Sequence, residues 1–264
     1  MSVSPEGSTV LTDAQLQRFG RQILLHDFDI AGQEALQAAT VLIVGLGGLG
    51  SPAALYLAAA GVGKLILADG DVVESSNLQR QISHTEADVG LNKAKSAAAT
   101  VAAINSDVQV ETITHALIED ELAEHLQAVD LVIDASDNYL IRFALNRACI
   151  ASGIPLVSAA AVRTEGQLAV FYPAAGGPCY RCLYPTSGDD TALSCSESGV
   201  LAPVVGVLGS LQALEAIKCL ANFGEPLIGH LLVMDFRTVE IQRLVLPRRP
   251  DCPDCGQVDY PPLT

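Results

Sequence analysis

Apolar positions fall into short unbroken runs separated by polar turns and by longer stretches of helical composition, and their order predicts strands alternating with helices. Residues 41–44, Val-Leu-Ile-Val, are apolar throughout, as in a strand buried on both faces. The run ends in Gly45-Leu-Gly-Gly-Leu-Gly50, and Ser51-Pro-Ala-Ala-Leu-Tyr-Leu-Ala58 continues with the small and apolar residues of a packed helix. A second run, Leu65-Ile-Leu-Ala68, stops at Asp69. Next come a short strand over 108–113, a helix with an acidic first turn at Glu119-Asp-Glu121, a buried strand over 130–134 and a helix over about 139–151. Residues 155–158 read as a further strand, and 166–172 alternate as an edge or antiparallel strand does. A long apolar helix over 203–222 precedes two strands, 230–236 and 239–246, that read as a hairpin. Upstream, Thr12-Asp-Ala-Gln15 is a capping-box pattern for a short helix through Arg18-Phe-Gly-Arg-Gln22, and a second helix over 33–39 leads into the first strand. The expected class is α/β: a doubly wound, Rossmann-like mixed sheet with N-terminal helices and C-terminal antiparallel strands. No Pro/Gly/Ser linker interrupts it, so residues 1–264 read as one unit, with a nucleotide-binding half over about 40–160 and a second half over about 161–258.

The turn after the first run carries the chemistry. Gly45-x-Gly47-x-x-Gly50 lets backbone approach a phosphate where Cβ atoms would collide with it, and free N–H groups at a helix start face the anion. Asp69 lies 19 residues beyond Gly50, about where an acidic side chain receives a ribose hydroxyl. The competing reading gives the glycines to helix–strand packing alone. Two nucleotides remain open. A dinucleotide such as NAD has only a pyrophosphate to hold, whereas ATP calls for cationic side chains and a magnesium ion on one or two carboxylates. A long polar loop, Gly70 to Gln81, separates Asp69 from the helix that begins near Asn92-Lys-Ala-Lys95, and such loops usually carry function. In the ATP reading Arg80 and Lys93 offset phosphate charge and Asp137, at the end of the 130–134 strand, holds magnesium, with Arg21 a further cation. Against these stand plainer readings: Lys95 as solvated surface, Asp137 as a helix cap, Asp69 and Asp71 as turn residues. His26, His84, His115, His125 and His230 show no ligand spacing and receive no role.

Half of the 264 residues are hydrophobic, yet no stretch is expected to reach the apolar length that crosses a bilayer. The N-terminus is polar without a basic region, so the expectation is a cytoplasmic protein with neither export nor organelle targeting. A net charge of −15 opposes nucleic acid and anionic membranes as partners. Of seven cysteines, four form two C-x-x-C pairs, Cys179/Cys182 and Cys252/Cys255, which supply the thiolates of a closed, tetrahedral four-cysteine zinc knuckle. Such a site fastens the C-terminal tail and leaves no open position for catalysis. Residues 185–199, small and polar, are expected to form a surface segment.

Taken together, Arg18-Phe-Gly-Arg-Gln22, the 45–50 glycine loop, Asp69-Gly-Asp71, Ser76-Asn-Leu-Gln-Arg-Gln81, Lys93, Ser136-Asp-Asn138, both cysteine pairs and the 206–218 helix resemble the HesA/MoeB/ThiF family, bacterial relatives of ubiquitin-activating enzymes. The resemblance runs from about Arg18 to Gly256. It implies a homodimer that binds Mg-ATP and adenylates the C-terminal Gly-Gly carboxylate of a small ubiquitin-like sulfur-carrier protein, releasing pyrophosphate. Carried over by position, Gly48, Asp69, Ser76, Asn77, Leu78, Gln79, Arg80, Lys93, Asp137 and Asn138 hold the nucleotide and Asp137 positions magnesium. Arg21 reaches the phosphates of the partner subunit, and Cys179, Cys182, Cys252 and Cys255 hold zinc. The half over about 161–258 becomes the carrier-binding and zinc half. Cys195 matches a loop cysteine that bonds to the carrier in some members, although no neighbouring Lys, Arg or His lowers its pKa. Phe19 stands where tyrosine is common, and no sulfurtransferase domain follows Thr264, so a separate sulfurtransferase is the expected sulfur donor. Residues 28–36 and 162–167 look most like the molybdopterin branch. The thiamine-pathway carrier is the alternative, and an NAD-dependent oxidoreductase rests on the Gly45-to-Asp69 spacing alone.

Overall fold

The computed structural model of the chain describes residues 11–185 and 199–256. Two helices open it, α1 (Asp13–Ile23) and α2 (Asp29–Ala38). Thr12 and Gln15 form the capping box of α1: the Thr12 N–H donates to Gln15 Oε1 at 3.0 Å, and Gln15 N–H donates to Thr12 Oγ1 at 3.3 Å. Next come β1 (Thr40–Val44), α3 (Gly50–Ala60), β2 (Lys64–Ala68), α4 (Lys93–Ile104), β3 (Gln109–Ile113), α5 (Glu119–His125), β4 (Leu131–Asp134) and α6 (Tyr139–Ser152). β5 (Leu156–Val162), β6 (Glu165–Phe171), the single turn α7 (Tyr180–Leu183), the long helix α8 (Ala202–Ala221), β7 (His230–Asp235) and β8 (Glu240–Val245) complete it.

The eight strands form one sheet in the order β3-β2-β1-β4-β5-β6-β7-β8. β1 to β5 are parallel to their neighbours, and β6 to β8 add on as antiparallel strands. Their two-residue period sorts the apolar run of β1 between two cores. Val41 and Ile43 face the core built with α2, α3, α4 and α8, while Leu42 and Val44 face the one built with α5 and α6. Leu65 and Leu67 against Ile66, and Leu131 and Ile133 against Val132, divide the same way. Each such Leu or Ile, fully buried, contributes about 1.5–3 kcal/mol. This is why the parallel strands read as unbroken apolar runs. β8, covered on neither face, is exposed along its length.

Two expectations change. β5 runs on to Val162, beyond residue 158, because its second half pairs with β6 from Ala159↔Leu168 to Val162↔Glu165. The expectation that no stretch is apolar enough to span a bilayer is corrected by α8. Its 20 residues, with an 18-residue window of mean hydropathy 1.5, pass that test by length and composition. It is nonetheless a core helix: Val204, Val205, Leu208, Ala213 and Ala216 are buried against the sheet and α3. Its buried Gln212 donates to Asp134 O at 2.8 Å and Val157 O at 3.2 Å, and its buried Glu215 accepts from Leu227 N–H at 2.8 Å. Most of the expected 185–199 surface segment, Cys195 included, lies outside the described residues.

Candidate functional site

Strand order reverses between β1 and β4, and ligands in open α/β sheets bind in the crevice at the carboxyl ends of the strands flanking such a reversal. Three segments leave those ends: the glycine loop after β1, the Asp69–Asn92 loop after β2 and Ala135–Asn138 after β4. The fold itself explains three of the four glycines. An added Cβ would stand 2.7 Å from Ala135 O at Gly45, 2.7 Å from Val205 Cγ2 at Gly48 and 1.8 Å from Gly45 O at Gly50. At Gly47 the nearest atom would be Gln81 Nε2 at an ordinary 3.5 Å. Packing therefore accounts for Gly45, Gly48 and Gly50, and Gly47 marks where the loop stays bare toward the crevice. Beside it, the buried Gln81 Oε1 has no hydrogen-bond donor among the described residues, an acceptor that a bound molecule can satisfy.

Leu46, between the first two glycines, is held at both its polar backbone atoms. Its N–H donates to Asp69 Oδ2 at 2.8 Å, and its carbonyl accepts from His84 Nε2 at 3.0 Å and from Ser51 Oγ at 3.2 Å. Asp69 Oδ1 also accepts from Asp71 N–H at 2.9 Å. The turn reading of Asp69 and its placement at the strand end thus both describe the same carboxylate.

The loop after Asp69 is an ordered flap. Val72 pairs with Asn92, and Lys93 N–H donates to Asp71 O at 2.9 Å. Its tip is a 3-10 turn over Ser75–Asn77, closed by Asn77 Oδ1 accepting from Glu74 N–H at 3.1 Å. Ser76 donates to Glu74 Oε2 at 3.2 Å, Leu78 is half-buried, and Gln79 Nε2 reaches Val200 O at 3.5 Å. Arg80 donates to Ser76 O at 3.2 Å and has no carboxylate partner among the described residues. Lys93 differs: its side chain is 9% exposed, and its ammonium pairs with the exposed Asp71 at 2.9 Å. Lys95 is exposed, as expected.

At the end of β4 the helix cap is Asn138, whose Oδ1 accepts from Leu140 N–H at 2.8 Å. Asp137 is thereby released from that duty. It is exposed and forms no hydrogen bond or ion pair with another described residue. The loop beneath it is fixed through Ser136, whose N–H and Oγ donate to Asp134 Oδ1 at 3.1 and 2.6 Å while its carbonyl accepts from Arg142. Asp134 is fully buried, with Ser158 Oγ at 2.6 Å and Arg142 at 3.7 Å. Burial opposes the Arg142 charge, but Asp134 and the ring hydroxyls of Tyr180 and Tyr184 keep its pKa above the ordinary value. Arg21 lies exposed in the last turn of α1, with no ion-pair partner among the described residues.

On the far side of α6 the four cysteines meet. The Sγ atoms of Cys179, Cys182, Cys252 and Cys255 are all buried and lie within 4.8 Å of one another. The contacts Cys179–Cys252, Cys182–Cys255 and Cys179–Cys182 are 3.5, 3.6 and 3.9 Å, near the ~3.8 Å edge of a tetrahedron with metal–sulfur bonds of about 2.3 Å. The donor set fits zinc. Arg249 N–H points at Cys182 Sγ at 3.4 Å, and buried Asn146 on α6 ties both knuckles together. Its Oδ1 accepts from Tyr180 N–H at 2.7 Å and its Nδ2 donates to Asp254 at 2.9 Å.

Several residues of this arrangement carry no sequence signal: His84, Asp134, Arg142 and Asn146 match no spacing rule, and only their burial and partners in three dimensions single them out. The sequence matches the ThiF family over residues 19–254. It is 49% identical to the molybdopterin-synthase adenylyltransferase of Escherichia coli (strain K12) over 247 residues, 94% of this chain and 99% of that one. It is 47% identical to the adenylyltransferase and sulfurtransferase MOCS3 of Mus musculus over 253 residues, 94% of this chain and 54% of that one. Among solved structures it is similar to Escherichia coli MccB in its crystal structure with ATP, with a TM-score of 0.76 and 26% identity, covering 86% of this chain and 70% of the other.

Proposed function

The chain belongs to the ThiF family, and on that premise we propose that it is an adenylyltransferase acting on the sulfur-carrier protein of molybdopterin biosynthesis. It joins AMP to the carrier's C-terminal Gly-Gly carboxylate and releases pyrophosphate. The observation that carries this reading is 49% identity along nearly the full length of both chains to a molybdopterin-synthase adenylyltransferase. The geometry supports it with a bare Gly47, a flap bearing Arg80 and Lys93, and an Asp137 left free by Asn138.

A carboxylate oxygen of the carrier attacks the α-phosphorus of ATP, and the bond from that phosphorus to the β-bridging oxygen breaks. The attacking carboxylate is already ionised, so no general base is needed. The obstacle is the approach of two anions, which fixed cations lower. Arg80 and Lys93 are the cations assigned to that task. Gly48, Asp69, Ser76, Asn77, Leu78, Gln79 and Asn138 line or shape the nucleotide site beside them. Asp137 holds magnesium, which supplies positive charge to the departing pyrophosphate. Arg21, exposed on α1 and without an ion-pair partner among the described residues, serves the phosphates of a second copy in a homodimer. The four clustered cysteines hold a structural zinc, and the carrier docks on the half that contains them. We place the reaction in the cytoplasm, where such thiols stay reduced, with sulfur delivered by a separate sulfurtransferase.

ATP–pyrophosphate exchange tests the reading. Exchange is expected only when a Gly-Gly-ended carrier is added, and faster with the molybdopterin-pathway carrier than with the thiamine-pathway one. Exchange indifferent to carrier, or a rise in NADH fluorescence on titration, would overturn it.

A further inference from the structure

We infer that His84 is a positioning residue for the nucleotide site, its imidazole tying the flap that carries it to the glycine loop and to the Lys93 helix. The inference rests on the adenylation reading above and goes beyond it, since His84 bears none of the family's motif positions.

His84 is 6% exposed and follows directly on the Ser76–Gln81 stretch, to which its N–H is joined through Gln81 O at 3.1 Å. Its Nε2 lies 3.0 Å from Leu46 O in the glycine loop, and its Nδ1 lies 2.8 Å from Ser96 Oγ on α4, one turn after Lys93. A carbonyl only accepts, so Nε2 must carry the proton; Nδ1 then accepts from the Ser96 hydroxyl. The neighbouring Ser83 adds a second tie. Its Oγ is 2.8 Å from Ser51 Oγ in the first turn of α3, and its carbonyl accepts from Thr100 Oγ1 on α4 at 2.7 Å. With Asp69 on the Leu46 N–H, the peptide between Gly45 and Gly47 is clamped from both sides. The flap, the glycine loop and the Lys93 helix consequently keep one mutual placement before any ligand arrives, and preorganisation of this kind favours binding because the ordering cost is already met.

The charge state agrees with this role. Burial lowers the His84 pKa below its ordinary 6.5 and Lys93 nearby adds to that, against the Leu46 carbonyl, Asp69 and Asp88, which act the other way. The ring is neutral at physiological pH, as a donor–acceptor bridge requires.

The test compares His84→Ala, His84→Asn and His84→Gln by calorimetric ATP binding and by the separate effects on KM and kcat. Nitrogen NMR of the histidine rings in the unaltered protein accompanies them. Glutamine places an N–H donor near the Nε2 position, whereas asparagine reaches only as far as Nδ1. The expected result is ATP affinity about tenfold or more weaker in the Ala and Asn variants, with KM raised more than kcat is lowered, and recovery to within about threefold in the Gln variant. The ring should show an Nε2–H neutral tautomer that persists below pH 6.5. A Gln variant as weak as Ala, unchanged affinity in Ala, an Nδ1–H tautomer or titration at the ordinary value would overturn the inference. Should the Ala variant not fold, the Gln/Asn comparison and the nitrogen spectra still decide it. Failure of the unaltered protein to bind ATP would instead overturn the adenylation reading.

Discussion

The two ends of α6 make a useful pair. At its start, Asp137 stands exposed without a partner among the described residues, and Arg80, on the loop after β2, lacks a carboxylate among them. Beyond its other side, four thiols are buried together, and Asn146 from the same helix straps both knuckles. A site that exchanges molecules keeps some charges open, as at Asp137 and Arg80 though not at the Asp71-paired Lys93, and places supports underneath, as Asp134 and Arg142 support Ser136. A site that only holds closes its coordination shell and hides it. The difference can be read from burial and partnership alone, without any bound group.

The contrast breaks most visibly at the cysteines. Changing Cys252→Ser with Cys255→Ser should remove the metal, close to one zinc per chain by elemental analysis in the parent, and with it about 10–16 kcal/mol of apparent binding energy. The Tm should fall steeply and exchange activity should follow it. At the open end the reverse pattern is expected. Asp137→Ala should lower carrier-dependent exchange about a hundredfold or more with Tm almost unchanged, because Asp137 makes no hydrogen bond or ion pair among the described residues. Arg80→Ala should weaken exchange about tenfold to a hundredfold through one charge-assisted contact of about 1.5–3 kcal/mol, with only a small drop in Tm from the lost bond to Ser76 O. Asn138→Ala sits between the two regimes: it removes a helix cap, so about 1 kcal/mol of stability should go, while exchange falls less than in Asp137→Ala. The smallest effect concerns pH. With His84 depressed below 6.5 in the folded chain, its contribution to stability is complete above that value and fades as pH falls through the folded pKa. Melts between pH 7.5 and 5 should lose more Tm in the parent than in His84→Gln.

Much of this was legible beforehand, for a physical reason. Strand–turn–helix order, the capping box at Thr12, the helix start at Asn92 and the paired cysteines all depend on near neighbours in sequence, and near-neighbour spacing is what a sequence displays. The clamp on Leu46 joins residues 23 and 38 positions away, so no periodicity announces it, and His84 looked idle for that reason. The spacing of the glycine loop admits both a phosphate-facing and a packing role. Three of its glycines answer to Ala135, Val205 and their own turn, contacts set by tertiary packing. The apolarity of α8 is ambiguous for a related reason, since a helix packed against a sheet and α3 resembles in composition one enclosed by lipid.

The knuckles lie 73 positions apart, and the span over 183–251 that they subtend includes the longest helix and the terminal hairpin. A metal held by all four thiols would close that whole span into a ring through its coordination shell. A protease cut within it would leave two fragments held by that metal as well as by the β6–β7 pairing and the packing of α8, so a chelator should loosen the nicked molecule more than the intact one.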